Sequence, residues 1–163
     1  MRSRKLIFAG LLTILVLGAA FLAVARGSTP SSGDSTATDI QFLTPSEFKV
    51  ADYAGKPLVV NFFGSWCGPC SSEAPDLAAF AQANPDVQFV GIAVNDTESD
   101  VTAFMNKYGL SNPVVMDDDS LGAEYGVTGV PETIFIDGAG QEVDRLIGAS
   151  SLDQFGQSLA KAQ

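Results

Sequence analysis

A six-residue run that is apolar apart from Asn61, Leu58 to Phe63, is separated by three residues from Cys67-Gly68-Pro69-Cys70, and these are the only two cysteines in the chain. The run has the length and composition of a buried strand. Beyond the second cysteine, Ala74, Leu77, Ala78 and Ala81 fall at the i, i+3, i+4, i+7 spacing of one buried helical face, with Pro75 expected to kink the helix in its first half. The pair therefore sits where a strand hands over to a helix. Pro69 suits a first helical turn, where its missing N–H costs nothing, and Gly68 lets the backbone turn tightly. A cysteine in that turn meets unpaired N–H groups and the positive end of the helix dipole, so its thiolate is favoured and its pKa falls. Cys67 is expected at the exposed tip and Cys70 in a more buried position.

Cysteine number narrows the chemistry. A fold stapled by disulfides would use several cysteines at long spacings, and here no third exists to pair with. A structural zinc needs four ligands, whereas the chain has no histidine and no second cysteine pair. An inert clip is the bland alternative, but a two-residue gap closes so little chain that its entropic gain is small. A dithiol that cycles between reduced and oxidised forms is the favoured reading. No cofactor and no metal is expected.

The rest of the chain alternates in type. Strand candidates at Leu58 to Phe63, Phe89 to Val94, Val114 to Met116 and Thr133 to Ile136 are separated by helical patterns, which is the α/β signature. Val101, Phe104, Met105 and Tyr108 form a helical stripe with Thr97 as its N-cap and Asp100 three residues on. Leu152, Phe155 and Leu159 form another, and both are simplest as core packing. Asp137-Gly138-Ala139-Gly140 has the chemistry of a hairpin loop returning into Glu142 to Ile147, so the last strand pair should be antiparallel. The acidic trio Asp117-Asp118-Asp119 lacks the ligand spacing and glycine of a calcium loop and is expected to be a solvated turn.

Three stretches carry a resemblance to the thioredoxin superfamily, and within it to the exported or membrane-tethered TlpA-like branch that includes the DsbE-like and ResA-type proteins. Val59 through Cys70 is similar to the family's strand and active site, and Glu73, Pro75 and Leu77 fit its continuation, WCxPCxxExPxL. Tyr125 through Thr133 resembles the segment that holds the family's cis-proline, with Pro131 the matching residue. The resemblance implies a thioredoxin fold, a mixed sheet flanked by helices, with a TlpA-like helix and strand inserted over about 25 residues from Asn95 to Asp119. It also implies that Cys67 and Cys70 are the redox-active, catalytic pair, and that Trp66, Val130 and Pro131 bind substrate. The cis-proline would keep metal off the thiolates and leave the Val130 backbone free to pair with an extended substrate. Plain packing is the rival account of Trp66. Asn61 stands where many cytosolic thioredoxins have a buried acid, so another group must serve the resolving thiol. Glu73 and Glu132 are the candidates for proton transfer or thiol tuning; each has the alternative of a glutamate without catalytic duty. Pro131-Glu132-Thr133 looks like the DsbE-like cytochrome c maturation group.

The N-terminus addresses location. Leu6 to Ala25 is a run of 20 residues, apolar or small apart from Thr13, and as a helix it would span about 30 Å, one hydrocarbon core. Arg2, Arg4 and Lys5 precede it and only Arg26 follows closely, so the positive-inside rule places the N-terminus in the cytoplasm and the domain outside. Ala23-Val24-Ala25 is an A-x-A site, and cleavage there to a secreted or periplasmic form is the competing expectation, but the stretch exceeds the roughly 7 to 15 apolar residues of a signal peptide. Residues 1–26 are thus expected to be an anchor or signal sequence, 27–38 a flexible tether rich in Ser, Thr, Gly and Pro, and 39–163 one domain with a real core.

Three of the chain's nine basic residues precede Leu6, leaving six against nineteen acidic ones beyond it, a net of −13 that repels nucleic acid and anionic lipid. Expected partners are exported proteins bearing disulfides or thiols and a transmembrane electron carrier. The function expected is thiol–disulfide exchange outside the cytoplasm, reducing proteins such as apocytochrome c. Val130 also resembles the corresponding residue of strong exported oxidants, so disulfide formation is the alternative. A docking module with a passive cysteine clip is a third reading.

Overall fold

The computed structural model describes residues 39–163. The expected membrane segment Leu6 to Ala25 and the tether over 27–38 lie outside the described residues. Among those described, no helix is long and apolar enough to cross a membrane.

The alternating runs become one six-stranded mixed sheet flanked by helices. In chain order its elements are β1 (Phe42–Leu43), β2 (Leu58–Phe63), α1 (Gly68–Ala83), β3 (Gln88–Val94), α2 (Glu98–Tyr108), β4 (Val114–Asp117), α3 (Ser120–Glu124), β5 (Glu132–Ile136), β6 (Glu142–Ile147) and α4 (Leu152–Ala162). Two short 3₁₀ turns, Pro45–Glu47 and Val50–Tyr53, lie between β1 and β2. The strand order is β1-β4-β3-β2-β5-β6. The first three contacts are parallel, and β2–β5 and β5–β6 are antiparallel. This is a thioredoxin-like α/β fold.

Side-chain alternation sorts the core into two layers. Val59, Ala93, Val114 and Phe135 meet α1, α2 and α4 through Leu77, Phe104, Met105, Phe155 and Leu159. Val60, Phe62, Ile92, Val115 and Ile134 meet Phe48 and Leu121 on the other face. Phe80 gathers the first layer: its ring lies 5.5 Å from those of Phe155 and Phe89 and 6.4 Å from Phe135. Such pairs each add about 0.5–1.5 kcal/mol beyond the area they bury. All six residues of β2 are buried, as expected for the strand that lies between β3 and β5.

The helix and strand between Asn95 and Asp119 are present as α2 and β4, and β4 enters the sheet between β1 and β3. Thr97 caps α2 as expected, its hydroxyl oxygen accepting the Asp100 N–H at 3.2 Å. The hairpin Asp137 to Gly140 closes through the Asp137 N–H to the Gln141 carbonyl at 2.9 Å, and Gly140 takes the left-handed conformation, φ +81°, that this turn requires.

Several details differ from expectation. Ala81 is only half-buried, and Phe80 supplies the contact instead. Leu152 is 42% exposed; Phe155, Ser158, Leu159 and Ala162 form the buried side of α4. The acidic trio is not simply solvated, because Asp117 turns its carboxylate to the first turn of α3 and accepts the Leu121 and Gly122 N–H groups, both at 3.0 Å. Neither β1, which at two residues is too short to show a period, nor α3 is marked by the sequence pattern.

Candidate active site

β2 ends at Phe63 and the chain turns through Gly64-Ser65-Trp66 into α1, with the Cys67 N–H bonded to the Gly64 carbonyl at 3.0 Å. Cys67 is the N-cap of α1, and the Cys70 N–H points at its Sγ from 3.1 Å. The two sulfurs are joined in a disulfide. An N–H donor and the helix N-terminus thus converge on the atom that would carry negative charge when the bond is reduced. Cys67 is 4% exposed and Cys70 1%. Their order is as expected, yet Cys67 is not at an exposed tip, since the loop before β5 covers it and the Val130 carbonyl lies 3.5 Å from its Sγ.

That loop brings Pro131 to the disulfide. The Val130–Pro131 peptide is cis, as the resemblance implied. The Gly148 N–H, just past β6, donates to the Pro131 carbonyl at 2.9 Å and fixes the loop from the sheet edge. Trp66 is 61% exposed, and its Nε1 donates to the Val94 and Asn95 carbonyls, both at 3.2 Å. Its ring lies against Gly64, where an added Cβ would fall 2.7 Å from Cε2. Gly64→Ala should push the indole off its two carbonyls. The expected result is a red-shifted Trp66 emission with a thermal midpoint within a few degrees of wild type, read by fluorescence and a melt. An unmoved emission would show that the ring is not seated there.

The two glutamates separate. β2 directs Asn61 to the α1 face, and β5, paired with it at Asn61↔Thr133, directs Thr133 there too. Glu73, one turn after Cys70, is buried on this side and joins them. The Asn61 Nδ2 donates to Glu73 Oε1 at 3.0 Å and to Thr133 Oγ1 at 2.9 Å, while the Ser150 N–H donates to Glu73 Oε2 at 3.0 Å. Burial pushes the Glu73 carboxyl above its ordinary value, and the Ser150 and Asn61 donors pull against that shift. Glu132 sits on the opposite face of the sheet, buried, and ion-paired with Arg145, which also holds Glu142. Its bonds to Glu142 and then Glu132 raise the Arg145 guanidinium above its ordinary value, so it stays charged. Among the described residues no buried side-chain polar atom lacks a partner.

Sequence reasoning missed Thr133 and Ser150 as partners of Glu73, and it missed Asp96, which bonds Ser65. Strand alternation could have found Thr133, since it shares the parity of Phe135. Nothing local marks Ser150, a loop residue brought in by the packing of α4 on α1. Among the described residues no cluster of His, Cys, Asp and Glu could hold a metal ion.

Comparison with known proteins agrees with this geometry. The redoxin family model matches residues 32–159. The thiol-disulfide oxidoreductase ResA of Geobacillus thermodenitrificans is 32% identical over 141 residues, covering 84% of this chain and 78% of that protein. The soluble secreted antigen MPT53 of Mycobacterium tuberculosis is 36% identical over 121 residues, 72% of this chain and 70% of that one. A crystal structure of a secreted M. tuberculosis disulfide oxidoreductase homologous to E. coli DsbE superposes with a TM-score of 0.63 at 33% identity, covering 69% of this chain and 87% of that one.

Proposed function

The chain belongs to the redoxin family, as a ResA/DsbE-type member of the thioredoxin superfamily and a protein-disulfide oxidoreductase, and from that premise we propose that it reduces disulfides of exported proteins, apocytochrome c among them. One observation carries the exchange chemistry: the Cys67–Cys70 disulfide at the start of α1, with the Cys70 N–H on Cys67 Sγ and the Val130 carbonyl beside it.

In the reducing direction the Cys67 thiolate attacks one sulfur of the substrate disulfide. A mixed disulfide forms and the other substrate sulfur leaves as a thiolate. Cys70, deprotonated, then attacks Cys67 Sγ, which releases the second substrate thiol and closes the Cys67–Cys70 bond. Two electrons pass to the substrate, and a transmembrane electron carrier restores the dithiol. Trp66, Val130 and Pro131 bind the substrate as an extended segment. Glu73 takes the proton from Cys70, one helical turn away, in place of the acid that Asn61 lacks. Glu132, tied to Arg145, fixes the β5–β6 side of the cis-proline loop and tunes the site through that support.

The domain, residues 39–163, works outside the cytoplasm, anchored by Leu6 to Ala25 through the tether over 27–38. The secreted relatives support an exported setting for it. Val130 before the cis-proline favours a second reading, oxidation of exported thiols. Acid-trapping cells and alkylating free thiols distinguishes them. A mainly reduced Cys67/Cys70 pool is expected, and a mainly oxidised pool would overturn the reductase reading in favour of the oxidase.

A further inference from the structure

The segment leading into Cys67 is gripped from one side by a single loop. Asp96, between β3 and α2, accepts the Ser65 N–H on Oδ2 at 2.6 Å and the Ser65 hydroxyl on Oδ1 at 2.9 Å. The same Oδ1 accepts the Thr97 N–H at 2.8 Å. The two carbonyls that hold the Trp66 indole, Val94 and Asn95, belong to this loop as well. Asn95 adopts φ +49° there, a left-handed conformation that asparagine tolerates better than most residues. Val94 and Asn95 of the loop and the indole together form one wall of a groove of about 370 Å³ that runs to Val127 and Val130, and the Val130 carbonyl lies 3.5 Å from Cys67 Sγ.

Capping α2 does not account for these contacts. Thr97 is the N-cap and satisfies the Asp100 N–H with its own hydroxyl, so the helix start has a cap without Asp96. What Asp96 adds is a hold on both the backbone and the side chain of Ser65, immediately before Trp66 and Cys67. Hydrogen bonds to an ionised acceptor are roughly twice as strong as neutral ones, and two on one residue fix its orientation as well as its position.

We infer that Asp96 is a positioning residue for the exchange reaction: through Ser65 it sets where the Trp66 indole stands beside the disulfide, and so how well a protein substrate fits the groove. The inference rests on the reading of Trp66 as a substrate contact. A small disulfide reaches the sulfur without needing that wall, whereas a polypeptide does not.

The test compares wild type, Asp96→Ala, Asp96→Asn and Ser65→Ala, using insulin as the protein disulfide and oxidised glutathione as the small one. Trp66 is the only tryptophan in the chain, so intrinsic fluorescence reports its position directly. Asp96→Ala should lower kcat/KM for insulin about tenfold, mainly through KM, and leave the glutathione rate within about twofold. Its Trp66 emission should shift to the red with faster anisotropy decay. Asp96→Asn, which keeps one acceptor oxygen, should fall between. Equal losses on insulin and glutathione would overturn the inference, as would unchanged emission with unchanged insulin kinetics. If Asp96→Ala does not fold, Ser65→Ala removes only the hydroxyl bond and must show the same split in smaller measure; no split there overturns it too. A wild-type protein without activity on either substrate would instead refute the exchange reading, and the fluorescence arms would still decide whether Asp96 holds Trp66.

Discussion

Replacing Cys70 by serine should convert the protein from a catalyst into a covalent trap. The Cys67 thiolate keeps its helix N-terminus, and the amide of residue 70 that now lies 3.1 Å from the sulfur is backbone and survives the change. Attack on a substrate disulfide therefore proceeds, but the second thiol that would release the product is gone. Steady-state turnover should fall by about three orders of magnitude or more, and a mixed disulfide should accumulate that dithiothreitol dissolves. Cys67→Ser should abolish turnover without trapping anything. The measurement is insulin reduction alongside non-reducing gels and intact mass. Repeated turnover by Cys70→Ser would rule out the two-cysteine mechanism. An unmodified Cys67 in Cys70→Ser would show that Cys67 is not the attacking group.

Asn61→Asp should make stability steeply dependent on pH. The substitution puts a second carboxyl where the amide now donates to Glu73 Oε1 at 3.0 Å. Glu73 already sits above its ordinary value because burial penalises its charge, against the opposing donors Ser150 and Asn61. The variant removes one opposing donor and adds a like charge, so both changes push the pKa further up. A carboxyl raised in the folded state contributes its full stability below its unfolded value, here 4.5 for Glu73. That contribution is lost as pH rises through the folded value. The variant should therefore match wild type near pH 4 and lie about 3 kcal/mol below it at pH 8, a gap on the order of 10 °C in Tm. Melts at pH 4, 6 and 8 check this. A Tm offset that stays the same across the three would show that the two carboxyls do not share one site.

What the sequence made legible were features set by a few neighbouring residues. The strand into Cys67, the helix start at Gly68-Pro69, the Thr97 cap and the Asp137 to Gly140 hairpin each depend on local chemistry, and each is present. Exposure depends on what packs from elsewhere, and there two residues depart from expectation. Cys67 is covered by a loop 63 residues further along, and Leu152 lies outside the contact that its stripe suggested. Glu73 was legible as a candidate but not as a buried one, because its partners come from β2 and from the loop before α4. Asp96 gave no signal, since its role consists of reaching Ser65 across 31 residues.

The alternation along β5 also decides which pairing of strands the chain accepts. With Asn61 opposite Thr133, a hydroxyl meets the amide on one face, and Glu132 meets Arg145 on the other. A slip of one residue would turn every side chain of β5 over. Glu132 would then enter the buried site that already holds the Glu73 carboxyl, Arg145 would lose its buried partner, and Thr133 would lie among Phe62, Ile92 and Val115. Misalignment is thus penalised on both faces at once. Pro131 precedes Glu132 by one residue, so its place across from the sulfurs is kept in register by an error check that operates away from the redox chemistry.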